Sequence, residues 1–225
     1  MGSNTKDNKQ GYIVVMSKKP TDAYEHVVST LIGPYVHSAS SACMLSAPST
    51  PEHEKNRMLF YALANEPFGC KLISPEMTTM DHDYVAILIP VHPMVVDSYR
   101  AFMCDLWYRK VAYNSKDTML CLTHGGGKVT NMIFQDTNCH NVTSVFCSQA
   151  VVLGLRKALQ DNCSQLTKAE KSLLKAVQCN SRATDPSSLF KLLVVHGKLC
   201  SATAARKLLW VNRHQLENIV PDVPK

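Results

Sequence analysis

The sequence predicts an α+β fold in which an antiparallel sheet packs on helices. Three observations carry that expectation. Up to residue 91 the chain reads mostly as short runs rich in β-branched residues, separated by polar loops, which is the pattern of a strand meander. From residue 93 onward the apolar residues recur at helical spacing. A length of 225 residues with 45% apolar content suits one large domain, or a domain with a small extension.

Each element has its own reason. Residues 1–10 are polar, and Tyr12-Ile13-Val14-Val15-Met16 has strand composition. Pro20-Thr21-Asp22 opens a helix whose Ala23, Val27, Val28, Leu31 and Ile32 share one face, and Gly33-Pro34 closes it. Strands are expected at 35–45, 58–64, 71–73 and 84–91, with a Pro/Ser/Glu loop at 46–56. A helix is expected at 93–108, with Val95, Tyr99, Phe102, Met103 and Leu106 on one stripe. Residues 111–140 show no regular pattern; a cap at Thr143 or Ser144 then starts a strong helix running to about 160. Further helices are expected near 167–178, 186–196 and 201–213, the second of these capped by Asp185 with Pro186 at its first position. The main domain is therefore read as 11–195, and 196–225 as a helical extension packed on it.

Composition excludes several classes. Lys plus Arg number 24 against 18 Asp plus Glu, a net charge of +6, but the basic residues are spread along the chain. A nucleic-acid module gathers its charge into a patch, so nucleic acid is not an expected partner. The longest apolar run, Tyr84 to Val91, falls far short of the roughly 20 residues of a spanning helix, so no transmembrane segment is expected. Lys168 to Lys175 forms an amphipathic basic stretch, read as a docked helix with a solvated face. Nine cysteines, an odd count with several inside apolar helical patterns, read as reduced thiols in an intracellular, reducing compartment. The N-terminus shows no leader-peptide pattern.

The residues that suggest chemistry are Cys147 and His37. Phe146-Cys147-Ser148-Gln149 places a cysteine in the first turn of a predicted helix. There the unpaired N–H groups and the positive end of the helix dipole favour a thiolate, which lowers the thiol pKa from about 8.5. The same amides can line an oxyanion site. His37, in Gly33-Pro-Tyr-Val-His-Ser-Ala-Ser40, lies on a strand of small residues that lets another element approach closely. That strand could aim the imidazole at the start of the Cys147 helix and make it the base a thiol needs.

The order of these segments resembles the circularly permuted papain-like (NlpC-type) family, whose members include bacterial and poxviral proteins and the lecithin:retinol acyltransferase relatives. The motifs that carry the resemblance are the strand histidine in GPYVH, Lys110-Val-Ala-Tyr113-Asn114, Phe146-Cys-Ser-Gln-Ala-Val151 and the tail Cys179-Asn-Ser-Arg-Ala-Thr-Asp-Pro-Ser-Ser-Leu-Phe190. Together they span roughly residues 11–195, and the likeness runs closest to members from large DNA viruses. The resemblance implies a permuted papain-like fold with extra C-terminal helices. It also implies a Cys147 nucleophile activated by His37 and acyl transfer through a thioester intermediate. Such members usually place Glu, His or Asn on the next strand to orient the imidazole. Here that position falls at Tyr61, with Asn65 and Glu66 close behind as substitutes. The absence of an acidic residue at Tyr61 is this chain's departure from the pattern.

No metal or cofactor is expected. Cys121, His124, Cys139 and His140 have zinc-like types, but adjacent Cys139 and His140 rarely both point inward. His124-Gly-Gly-Gly127 has no accompanying Gly-x-Ser-x-Gly elbow, and Gly127-Lys128 lacks a phosphate-loop frame. The leading expectation is a cysteine peptidase, amidase or isopeptidase acting on a protein or a ubiquitin-like tag. Its rivals are a lipid thioesterase or acyltransferase of the same fold, and a non-catalytic viral interaction or structural protein that retains the fold.

Overall fold

The computed structural model describes residues 10–45, 61–65, 69–73, 84–118 and 135–205. Strand β1 (Gln10–Lys18) leads to helix α1 (Ala23–Ile32), then β2 (His37–Leu45), β3 (Tyr61–Asn65), β4 (Gly69–Ile73) and β5 (Tyr84–Val91). Helix α2 (Pro93–Tyr108) and the two-residue strands β6 (Ala112–Tyr113) and β7 (Ser144–Val145) precede α3 (Cys147–Asp161). The described chain then runs through α4 (Lys168–Ala176), α5 (Pro186–Leu193) and β8 (Lys198–Ser201). The six long strands form one antiparallel sheet in the order β4-β3-β2-β1-β5-β8, while β6 and β7 pair in parallel. The mixed class and the antiparallel sheet packed on helices are those the sequence predicts.

The end of the described chain departs from expectation. Residues 198–201 were expected within a helical extension, yet they pair with β5 from Val85↔Ser201 to Leu88↔Lys198. The free edge of β5 explains this: an unpaired row of N–H and C=O groups takes up any nearby extended segment. Gly197 permits the approach, because a Cβ there would sit 2.6 Å from Ile87 Cγ2 and 2.7 Å from the Leu88 carbonyl oxygen. Helices α4 and α5 also end two or three residues earlier than their apolar patterns suggest.

Strand β1 lies near the centre of the sheet, and its Ile-Val-Val-Met run is buried on both sides. Ile13 and Val15 join Ala42, Ile87 and Ile89 beneath the helices, whereas Val14 and Met16 join Ala39, Cys43, Ala86, Leu88 and Cys200 on the opposite face. A strand covered on both faces needs a continuous apolar run rather than an alternating one.

Helix α3 lies across the first of these faces, and twelve of its fifteen residues are buried. Gly154 allows α2 to come close: a Cβ there would lie 2.7 Å from Tyr99 Cε2 and 3.3 Å from Phe102 Cδ1. Tyr99, itself buried, donates its hydroxyl proton to Ser40 Oγ at 2.6 Å, which ties α2 to β2. Glu170 fastens α4 in the same way. Its carboxylate accepts from the N–H of Thr167 at 2.8 Å and the Thr167 hydroxyl at 2.7 Å, closing a capping box, and from the His92 N–H at 2.6 Å just before α2.

Two outcomes follow. Gly154→Ala lowers stability by about 1–3 kcal/mol through overpacking, although alanine is the better helix former by about 1 kcal/mol; urea denaturation of the two proteins gives the sign. Glu170→Ala costs about 1 kcal/mol at neutral pH by opening the capping box of α4 and releasing the His92 N–H. Burial alone would raise the Glu170 pKa, but the His92 and Thr167 hydrogen bonds outweigh it and hold the carboxyl below its ordinary value. The stabilisation is therefore present above the ordinary carboxylate range and lost as pH falls through the lowered value. Denaturation midpoints of wild type and Glu170→Ala accordingly converge in acid.

Candidate functional site

Phe146, not Thr143 or Ser144, occupies the N-cap of α3, because Ser144 and Val145 are taken up as β7 beside Ala112 and Tyr113. A phenylalanine side chain has no acceptor for the first-turn amides. Gln149 Oε1 reaches back to the Phe146 N–H at 3.3 Å, and its amide nitrogen donates to Thr137 Oγ1 at 2.9 Å. Burial disfavours charge on the Cys147 sulfur, while the backbone N–H groups of Ser38 on β2, of Ser148 and of Cys147 itself favour it; the Ser148 hydroxyl donates to the Thr184 carbonyl at 2.6 Å. The thiol thus sits at the junction of the α3 N-terminus and the start of β2.

The residues around this junction are fixed by the motifs singled out in the sequence. Asn114 accepts from the Asp117 N–H at 2.9 Å, and its amide donates to Asp117 Oδ2 at 2.8 Å and Ser144 Oγ at 3.1 Å. Buried Asp117 is held by Arg182 through two hydrogen bonds at 2.7 and 2.8 Å. The approach to His37 is fastened from α5. Ser187 Oγ accepts from the Tyr35 N–H at 2.8 Å and donates to the Tyr35 carbonyl at 3.0 Å, and the Tyr35 ring packs on Phe190 at a centroid distance of 4.3 Å. Asp185 caps that helix through the Ser188 N–H at 2.8 Å, as the Asp-Pro pair predicts. Gly33, at φ 102°, makes the turn that brings the chain against Ser187.

His37 is the first residue of β2 and pairs with Lys18 across the β1–β2 ladder. Strand alternation assigns it to the face of Ala39 and Cys43, and assigns Ser38, Ser40 and Ala42 to the helix-covered face. Its charged neighbours are Lys18 and Glu25, themselves an ion pair in which Glu25 also accepts from the Thr21 N–H and hydroxyl at 2.8 Å. Among the described residues no hydrogen bond joins the His37 and Cys147 side chains. The fold brings Cys147 to the residue after His37, with the imidazole among these charges. Tyr61 and Asn65 lie at the two ends of β3, which meets β2 at Ser40↔Ala62. Glu66 lies outside the described residues, as do Cys121, His124 and the triple glycine.

Both groups are held neutral. Burial pushes the Cys147 thiol above its ordinary value, outweighing the amides of Ser38, Ser148 and Cys147 itself. The lowered value expected of a helix-start cysteine is not found, because Cys147 is only 5% exposed and desolvation disfavours the thiolate more than the helix terminus favours it. Loss of hydration, reinforced by Lys18 and opposed by Glu25, lowers the His37 pKa to about 4. At neutral pH the resting site is a thiol and an uncharged imidazole.

Among the described residues no group of three or more His, Cys, Asp or Glu side chains is placed to hold a metal ion, and no helix is long and apolar enough to cross a membrane. Seven cysteines (43, 104, 139, 147, 163, 179 and 200) are free thiols. The sequence signalled Cys147 and His37. It did not signal Lys18, Glu25, Ser38 or Ser187, whose roles come from strand register and helix docking. A buried serine on the apolar face of α5 was the one available hint. Comparison with protein-family models, curated proteins and solved structures finds no match to this chain.

The His37 environment has a measurable consequence. Replacing Lys18 with Met removes the positive neighbour and raises the His37 titration midpoint above about 4, while Glu25→Gln lowers it further. Imidazole carbon–proton resonances followed across pH give both shifts. Because the folded value lies below that of the unfolded chain, near 6.5, His37 favours unfolding increasingly as pH falls from about 6.5 toward 4.

Proposed function

We propose that this chain is a cysteine hydrolase of the permuted papain-like kind, with Cys147 as nucleophile and His37 as its base. Its substrate in this reading is an amide or isopeptide bond of a protein or ubiquitin-like tag, and its setting is a reducing intracellular compartment. The observation that carries the reading is the position of Cys147. Cys147 is the first residue of a buried helix, where the backbone N–H groups of Ser38, Ser148 and Cys147 itself favour charge on its sulfur. Donors so placed stabilise a developing anion with little reorganisation. The chain order of strand histidine followed by helix cysteine, and the free thiols, support it further.

In this reading the resting thiol is protonated and the uncharged imidazole can accept its proton. In this reading substrate binding turns the His37 ring, at the start of β2, from the Lys18–Glu25 side of the sheet toward the thiol. The Cys147 sulfur then bonds to the carbonyl carbon, and its proton passes to His37. The backbone amides hold the oxyanion as the carbon–nitrogen bond breaks, and His37 returns the proton to the departing amine. Water, deprotonated by the same imidazole, adds to the thioester carbon; the carbon–sulfur bond breaks, the acid leaves, and the sulfur takes the proton back from His37.

One observation favours a second reading, a non-catalytic interaction protein: Cys147 is 5% exposed and its thiol is raised by burial. A lipid thioesterase or acyltransferase is the remaining rival within the fold.

Brief alkylation of native protein with iodoacetamide between pH 5 and 9, mapped by mass spectrometry, separates the readings. The hydrolase reading expects modification of Cys147 at neutral pH that falls more than about tenfold in His37→Ala, with the other cysteines unchanged. A Cys147 that is inert, or indifferent to His37, sinks that reading in favour of the interaction protein.

A further inference from the structure

The sheet beneath Cys147 carries two hydroxyls that the fold leaves unused. Ser17 and Ser38 are direct partners in the β1–β2 register and are 0% and 1% exposed. Neither Oγ has a hydrogen-bond partner among the described residues. Both belong to the helix-covered rows, Ser17 following Ile13 and Val15, and Ser38 preceding Ser40 and Ala42. Same-face partners of this kind have Cβ atoms about 4.5–5.5 Å apart; β2 packs against the Cys147 helix, and the N–H of Ser38 is among those that favour charge on the Cys147 sulfur. Ser40, next in the row, has its hydroxyl engaged by Tyr99 at 2.6 Å. Ser41 is also unpartnered, but alternation places it on the other face, away from the thiol.

Two adjacent, buried, unpaired hydroxyls disfavour the fold relative to alanine, so their presence beside the thiol calls for a partner that arrives with the substrate. We propose that Ser17 and Ser38 form a subsite for one uncharged amide group of the substrate, positioned against Cys147. Each hydroxyl can donate and accept, so the pair matches both the C=O and the N–H of a single amide. An ester or thioester offers no N–H and satisfies only half of the site. The inference rests on the hydrolase reading and sharpens it: the subsite selects amides over lipid esters.

The test compares two thiol alkylators, iodoacetamide and ethyl iodoacetate, which differ in carrying an amide or an ester. Rate constants are measured at pH 7 by mass spectrometry for Cys147, with exposed Cys163 as internal reference. The expected result is an amide-to-ester rate ratio about five- to tenfold higher at Cys147 than at Cys163, which falls to the Cys163 value in Ser17→Ala/Ser38→Ala. A Cys147 that reacts with no such preference, or keeps it in the double variant, overturns the subsite while leaving Cys147 as nucleophile; the hydroxyls would then hold internal water only. A Cys147 inert to both reagents overturns the subsite and the hydrolase reading together. The wild-type ratio decides the matter even if the double variant fails to fold.

Discussion

The molecule is organised around a helix with almost no solvent face. Because α3 is buried along nearly its whole length, each polar group on it must be answered from within the protein. Ser148 donates to the Thr184 carbonyl at 2.6 Å, and Gln149 spans the Phe146 N–H and Thr137. Arg156 is the most demanding of these groups. Its guanidinium donates to the carbonyls of Val177 at 2.9 Å and Cys179, and to Asp136 at 2.6 Å. Asp136 in turn accepts from the Ser181 N–H at 2.8 Å and its hydroxyl at 2.7 Å. A charge buried this deeply persists only with such a complete set of partners. The segments at 136–137 and 177–184 are therefore fixed in place by one helix side chain after another.

The same burial governs the chemistry at the helix start. A helix N-terminus and three amides favour an anion, while loss of water around Cys147 disfavours it, and the second effect wins in the resting molecule. His37 is treated alike, with Lys18 and Glu25 pulling its titration in opposite directions. A preformed thiolate–imidazolium pair would need the reverse balance. The backbone N–H groups do not depend on the protonation state of the sulfur, so the fold sets donors at the helix start in advance of any charge there.

Much of this was legible in the residues. The β-branched run of β1, the Asp185-Pro186 start of α5 and the long stripe of α2 each have local causes, and local causes can be read from sequence. The cap of α3 was misread because Thr143 and Ser144 are good capping residues in isolation; pairing of β7 with β6 moved the helix start to Phe146. β8 was missed for a similar reason, since what makes Lys198–Ser201 a strand is the open edge of β5 more than a hundred residues earlier. Cys147 and His37 could be picked out by residue type. The direction of their pKa shifts could not, because it depends on how deeply tertiary packing buries them.

Register is the finest control on the site. The first two residues of β2 divide their work between the faces of the sheet: His37 opposite Lys18 on one, Ser38 opposite Ser17 on the other. A one-residue slip would exchange these faces, putting an imidazole among the apolar residues beneath α3 and the serines beside the Lys18–Glu25 pair. The slip is resisted from three directions: the Tyr99–Ser40 hydrogen bond, the Ser187 hydroxyl clasping Tyr35, and the apolar rows of β1 that match β2 and β5 on both faces. The Ser187 and Tyr99 contacts come from α5 and α2, helices that flank α3. Cys147 and the strand it meets are thus positioned by the same helical layer.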